Sequence, residues 1–324
     1  MIEHIQKQLT VPREYHNQRI DSVLAQLLPD YSRSQLSGWI KNGAITLNHK
    51  QCKPKDKVLD GDLIEIDVDF NSIELDFNQC TPEEIPLNII YEDEDILVLN
   101  KPANRVVHPG AGNKEHTLVN ALLHHAPSLQ HLPRAGIIHR LDKDTTGLLA
   151  VAKTLQAYTS LIRQLQDREI HRHYITLVQG YVISGGTIDT SFGRHPRNRL
   201  KMAVLEHGRQ AMTHYSVKKR YQDYTLLDVN LMTGRTHQIR VHLAYINHPV
   251  VGDPLYGGRM KYPTHASEQL RVLLQQFKRQ ALHACTLSFY HPRTEKELTF
   301  TAPIPDDFKL LLNTLDEHYE DQIS

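Results

Sequence analysis

The sequence is poor in cysteine. Cys52, Cys80 and Cys285 are far apart and odd in number, which argues against a disulfide framework and against a four-cysteine zinc site and fits a reducing compartment. No apolar run approaches eighteen residues, so no membrane span is expected. The first residues, MIEHIQKQLTVPREYHNQRID, hold no apolar stretch of the kind that forms a secretory signal, and a cytoplasmic protein is expected. Metal motifs are thin as well. Among 21 histidines there is no H-E-x-x-H and no histidine–cysteine pairing, so no metal is expected. HPGAGN, beginning at His108, lacks the G-x-x-x-x-G-K-[ST] pattern of a phosphate loop. Internal repeats and low-complexity segments are absent.

Net charge is zero, but its distribution is uneven. Residues 13–57 hold eight Lys/Arg against four acids, residues 67–96 hold ten acids and no Lys/Arg, and residues 134–220 hold fifteen Lys/Arg against six acids. Two basic regions around an acidic stretch favour a polyanionic partner.

The chain, at 324 residues, is long enough for two domains. Ile20, Val23, Leu24, Leu27 and Leu28 recur at helical spacing until Pro29. A second helix runs through Leu36, Trp39 and Ile40, capped by Ser32 or Ser34 and ended by Asn42-Gly43. AITLN and LIEIDV follow as short strands. A unit that small suits a binding module better than an enzyme. Beyond an acidic segment with Pro82 and Pro86, strand, helix and strand patterns mix: NIIYEDEDILVLNKP, HTLVNALLHH, LLAVAK, YTSLIRQLQ, HYITLVQGYV and YTLLDVNL. These predict an α+β domain with a large sheet. The expected divisions are 1–75, a linker at 76–88, a main domain at 89–310, and a terminal helix with an acidic tail at 311–324.

One stretch concentrates chemistry. HRLDKDTTGLLAVAKT, from His139, sets Arg140, Asp142 and Asp144 beside two threonines and Gly147, directly before an apolar strand. A solvated turn, a metal site and a reactive carboxylate all fit that pattern. Thr145 and Thr146 are able to hydrogen-bond carboxylate oxygens, and Gly147 permits close backbone approach. A carboxylate against a buried strand needs a cation. The candidate lies in TGRTHQIRVHLA, where Thr236 is placed to cap a helix carrying Ile239, Leu243 and Ile246 on one stripe, with Arg240 beside it. Tyr174, in EIHRHYITLVQG, is either a strand-face filler or a stacking platform for an extruded base. D-K-D-T also resembles the D-x-D-x-T nucleophile of haloacid-dehalogenase-type phosphatases. There the apolar strand precedes the first aspartate, whereas here it follows.

GIIHRLDKDTTGLL resembles the signature of the RluA-type pseudouridine synthases. HYITLVQG and TGRTHQIRVHLAYINHPVVGDPLYGG resemble the other two blocks of that family, and QRIDSVLAQLLPDYSRSQLSGWIKNGAITLN resembles an S4 RNA-binding domain. The resemblance implies a mainly antiparallel pseudouridine synthase catalytic domain preceded by a small α/β S4-like domain. It implies Asp142 as the catalytic aspartate, Tyr174 as the base-stacking residue, Arg240 as the partner of Asp142, Arg140 as an aid to base displacement and Ile239 as apolar packing near the aspartate. Arg19, Arg33, Lys41 and Arg235 are expected to contact RNA. The implied substrate is 23S ribosomal RNA, free or in an assembling large subunit, with no cofactor, no membrane partner and a monomeric enzyme. A non-catalytic RNA-binding protein of the same fold is the alternative; the joint presence of Asp142, Tyr174 and Arg240 argues against it.

Overall fold

The structure, a computed structural model, describes residues 4–28, 31, 33–69, 80–109, 115–198, 200–263 and 265–320. The chain divides into two compact units, 1–79 and 80–324.

The first unit holds β1 (His4–Thr10), α1 (Ile20–Leu27), α2 (Arg33–Lys41), β2 (Ile45–Leu47), β3 (Lys50–Gln51) and β4 (Leu63–Asp69). Its antiparallel sheet runs β1-β4-β2-β3. Ile64, Ile66 and Val68 face inward at the two-residue period of a strand and meet Ile20, Val23 and Leu24 of α1 and Leu36, Trp39 and Ile40 of α2. Gly43, with φ +83°, ends α2 in the left-handed conformation that a helix terminus favours. Ser32 and the side chain of Ser34, the expected caps, lie outside the described residues. β1 escaped the sequence reading because the residues described on it are mostly exposed, with only Leu9 packed on the core.

The second unit carries β5 (Ile89–Glu92), β6 (Ile96–Lys101), α3 (Leu118–His125), β7 (Thr146–Ala152), α4 (Leu155–Gln166), β8 (His171–Gln179), β9 (Gly186–Arg194), β10 (Met202–Val204), β11 (Arg209–Arg220), β12 (Tyr224–Leu231), α5 (Gln238–Tyr245), α6 (Glu268–Gln276), β13 (Leu282–Tyr290), β14 (Glu297–Thr301) and α7 (Asp306–Glu320). One sheet runs β10-β9-β11-β12-β8-β13-β7-β6-β5, with β14 paired to β13. Among the described residues only β7 and β13 pair in parallel, through Thr146–His283 and Gly147–Ala284; the fold is mixed α+β with a mainly antiparallel sheet. β13 thus sits in mid-sheet, between β8 and β7.

β7 is buried along its whole length, which is why LLAVAK reads as unbroken apolar sequence. Gly147 starts it at φ +115°, and a Cβ there would collide with the Ala284 backbone. Helix starts obey local chemistry. Thr117 and Asn120 form a capping box on α3, and Thr154 accepts the Ala157 amide at the start of α4. The C-terminal α7 buries Phe308, Leu311 and Leu315. Among the described residues no helix is long and apolar enough to cross a membrane.

Candidate functional site

Asp142 lies in the turn that feeds β7. The turn closes through the Thr145 amide, which donates to the Asp142 carbonyl at 3.1 Å. Its far side is braced. The buried Lys101 donates from Nζ to the carbonyls of Pro102, Arg105 and Lys143 at 2.8, 3.1 and 2.9 Å. Burial pulls the Lys101 pKa down to about 7, against the opposing pull of Asp144 and Asp142. Asp144 accepts the Asn104 amide at 3.2 Å, so the second carboxylate of the pair supports the backbone. The two threonines do not serve carboxylates as expected. Thr145 Oγ1 accepts from Gln280 at 3.0 Å and Thr146 Oγ1 pairs with His283 at 2.9 Å, because both hydroxyls turn inward with the start of β7.

Opposite this turn stands α5. Its N-terminal flank is His237, held at φ +60° with no side-chain cap, so the expected cap at Thr236 is not used. Arg240 Nη1 donates to Asp142 Oδ2 at 2.9 Å. The other side of the guanidinium is taken by Asp253, which receives Nε at 2.6 Å and Nη2 at 2.9 Å. Asp253 Oδ1 also accepts the Leu255 and Tyr256 amides at 2.8 and 3.0 Å. Burial works against the charges on both partners. For Arg240 the bonds to Asp253 and the nearby Asp142 outweigh it and raise the pKa; for Asp253 the guanidinium and the two amides outweigh it and lower the pKa. Arg240 is therefore a fixed donor, locked bidentately from behind and offering one N–H forward.

Asp142 Oδ1 is left facing His237, whose Nε2 is 3.9 Å away, beyond hydrogen-bond reach. The Tyr256 hydroxyl accepts the Met202 amide at 2.8 Å and lies 2.8 Å from His237 Nδ1. Either partner is able to donate in that contact, since the hydroxyl has a second acceptor lone pair. Burial lowers the His237 pKa, despite Asp142, and favours the neutral imidazole.

Asp142, His237 and Arg240 line a cleft of about 640 Å³. Tyr174, buried at 4% exposure, and Ile239 form apolar parts of its lining, while Arg140 and Arg235 lie exposed along it. Burial raises the Tyr174 pKa to about 12, so the phenol is neutral. Among the described residues six arginines line the cleft (134, 140, 168, 172, 235 and 240) against one carboxylate, Asp142. The volume suits one nucleotide-sized group, and the lining suits an anionic one.

Asp142, Tyr174, Arg240, Arg140, Ile239 and Arg235 thus meet in one place. Arg19, Arg33 and Lys41 belong to the other unit. Arg19 and Arg33 each reach the buried Asp21 at 2.9 Å while staying half exposed, and Lys41 is exposed at the end of α2. Sequence reasoning missed Asp253, His237, Tyr256, Lys101 and Arg172. The available signal for Asp253 was the GDPLYGG turn, where an Asx-type residue able to accept amides two and three positions on is expected. Among the described residues, Asp93, Asp95 and His291 are spaced as metal ligands would be. Arg293 and His291 already pair with these carboxylates.

Residues 95–245 match the family model described as RNA pseudouridylate synthase, and residues 18–64 match the S4 domain. Ribosomal large subunit pseudouridine synthase D of Xanthomonas campestris pv. campestris is 49% identical over 311 residues, covering 96% of this chain and 93% of that one. The protein of the same name from Escherichia coli strain K12 is 48% identical over 322 residues, covering 99% and 98%. That from Haemophilus influenzae is 50% identical over 310 residues, covering 95% and 94%. Among solved structures, human RNA pseudouridylate synthase domain containing 4 shares the fold, with a TM-score of 0.55 at 24% identity over 71% of this chain and 93% of that one.

Proposed function

This chain belongs to the RNA pseudouridylate synthase family, and we propose that it isomerises uridines of 23S ribosomal RNA to pseudouridine with Asp142 as its catalytic aspartate. The observation that carries the reading is the Asp142–Arg240–Asp253 arrangement: a single carboxylate, held by a guanidinium that is itself locked, in an arginine-lined cleft.

The chemistry suits these groups. Pseudouridylation breaks the uracil N1–C1′ bond, turns the base and joins C5 to C1′, with the C5 proton released. No net oxidation or reduction occurs, so protein groups suffice. The oxygen of Asp142 not bound by Arg240 is the one available to attack or to take a proton. Arg240 fixes the direction of that oxygen. The uridine must leave its stack, at a cost of a few kcal/mol; stacking on Tyr174 offsets ~1–3 kcal/mol of it. In this reading Arg140 helps displace the base, and Ile239 gives the base an apolar edge. Arg235, exposed along the cleft, is able to meet a backbone phosphate. The S4 unit, through Arg19, Arg33 and Lys41, adds affinity by tethering the RNA to the same chain.

Incubation with 23S rRNA transcribed from 5-tritiated uridine tests this. The protein should release tritium, and Asp142→Asn should lose release while retaining RNA binding. A variant that keeps turnover removes Asp142 from the chemistry.

A further inference from the structure

Among the described residues Arg172 is the buried cleft guanidinium without a carboxylate partner. It stands on β8 two residues before Tyr174, and burial alternates along this part of the strand: His171 exposed, Arg172 buried, His173 exposed, Tyr174 buried. Both buried side chains therefore leave the same strand face, about 6.6 Å apart along the chain, and both line the cleft. Arg172 is only 8% exposed, yet its Nε has no hydrogen-bond partner. Among the described residues no carboxylate pairs with it, and burial works against its charge. The other buried guanidinia differ. Arg240 holds two carboxylates, and Arg279 holds Asp307 bidentately. A guanidinium does not escape burial by losing its proton, so its desolvation stands uncompensated in the free protein.

A second observation shows how that charge is reached. Gly234 needs no left-handed backbone, but a Cβ there would lie 2.5 Å from Arg172 Nη1. The missing side chain leaves room for this nitrogen beside the exposed Gly234, and both residues line the cleft. His139, which also lines the cleft, holds a second buried atom without a partner, Nδ1.

We propose that Arg172 binds a phosphodiester oxygen of the RNA strand whose uridine stacks on Tyr174. A phosphate supplies the formal negative charge that the free protein lacks here and receives the planar fork bidentately, whereas a uracil carbonyl supplies only a dipole. One strand repeat between guanidinium and phenol is comparable to the span from a nucleobase to its own phosphate. The subsite rests on the pseudouridylation reading.

The test uses the full-length protein and transcribed 23S rRNA carrying 5-tritiated uridine, with binding measured across a salt series. Arg172→Gln should weaken binding about tenfold or more and make the log–log salt slope shallower by about 0.7–0.9. Arg172→Lys, which keeps the charge, should keep the slope. Gly234→Ala should weaken binding in the wild-type background and change nothing in Arg172→Gln. The melting temperature of Arg172→Gln should equal or exceed that of the wild type, because an unpaired buried charge is gone. An unchanged salt slope in Arg172→Gln overturns the proposal and assigns an uncharged acceptor. An equal Gly234→Ala effect in both backgrounds overturns it too. A wild type that binds but releases no tritium refutes the pseudouridylation reading, while the slopes still judge Arg172.

Discussion

Asp253→Asn separates the two carboxylates that share Arg240. In the native site Asp253 Oδ1 accepts three N–H groups, from Arg240, Leu255 and Tyr256, and Oδ2 accepts the fourth, Arg240 Nε at 2.6 Å. An asparagine oxygen is able to keep the Oδ1 set. Its NH₂ then falls where Oδ2 was, donor against donor. Breaking a buried ion pair by removing one partner costs about 3–5 kcal/mol. For a unit of this size about 1 kcal/mol shifts the melting temperature by roughly 2 °C, so a fall of about 6–10 °C is expected in a thermal scan. Asp142→Asn removes a carboxylate that receives a single N–H at a partly open position, and should cost only about 1–2 kcal/mol. The acid branch carries the sign. The folded pKa of Asp253 is depressed, so its stabilisation is complete above the unfolded value of about 3.9 and is lost as pH falls through the folded value. The gap between wild type and Asp253→Asn should hold near neutrality and shrink in acid. Equal losses for the two asparagine variants, or a gap that persists undiminished in acid, would refute the claim that Asp253 is the anchor of the guanidinium.

Two further outcomes are expected. Gly147→Ala forces a Cβ into the Ala284 backbone at φ +115°; the melting temperature should drop by several degrees and tritium release should fall with it, whereas a neutral alanine would mean that β7 and β13 are free to separate. The isolated unit 80–324 should retain its circular dichroism and lose rRNA affinity relative to the whole chain; an unchanged dissociation constant at matched salt would remove the S4 unit from RNA binding.

Where side chains answered to neighbours in sequence, the fold was legible. The capped starts of α3 and α4, the left-handed end of α2 and the fully apolar β7 follow from residues within a few positions of each other. The cluster around Asp142 was visible because charges stood against an apolar strand. What the sequence hid is long-range. Asp253 lies 13 positions from Arg240, across a turn, and no periodicity links them. Thr145 and Thr146 found Gln280 and His283, more than a hundred residues on. Arg172 sits between two histidines and reads as a solvated charge; only strand alternation, read from Tyr174, would have put it inside. β1 was missed because its described residues are mostly exposed.

The central place of β13 bears on when this protein becomes an enzyme. Asp142 leads into β7 and Tyr174 stands on β8, and the strand that joins those two, residues 282–290, is made after both. Without it the pairing of the sheet is interrupted between β8 and β7, and no strand sets the spacing of Asp142 and Tyr174. A nascent chain is therefore poorly placed to modify RNA at the site of its own synthesis, and the unpaired edges of β7 and β8 are where a folding chaperone would be most useful.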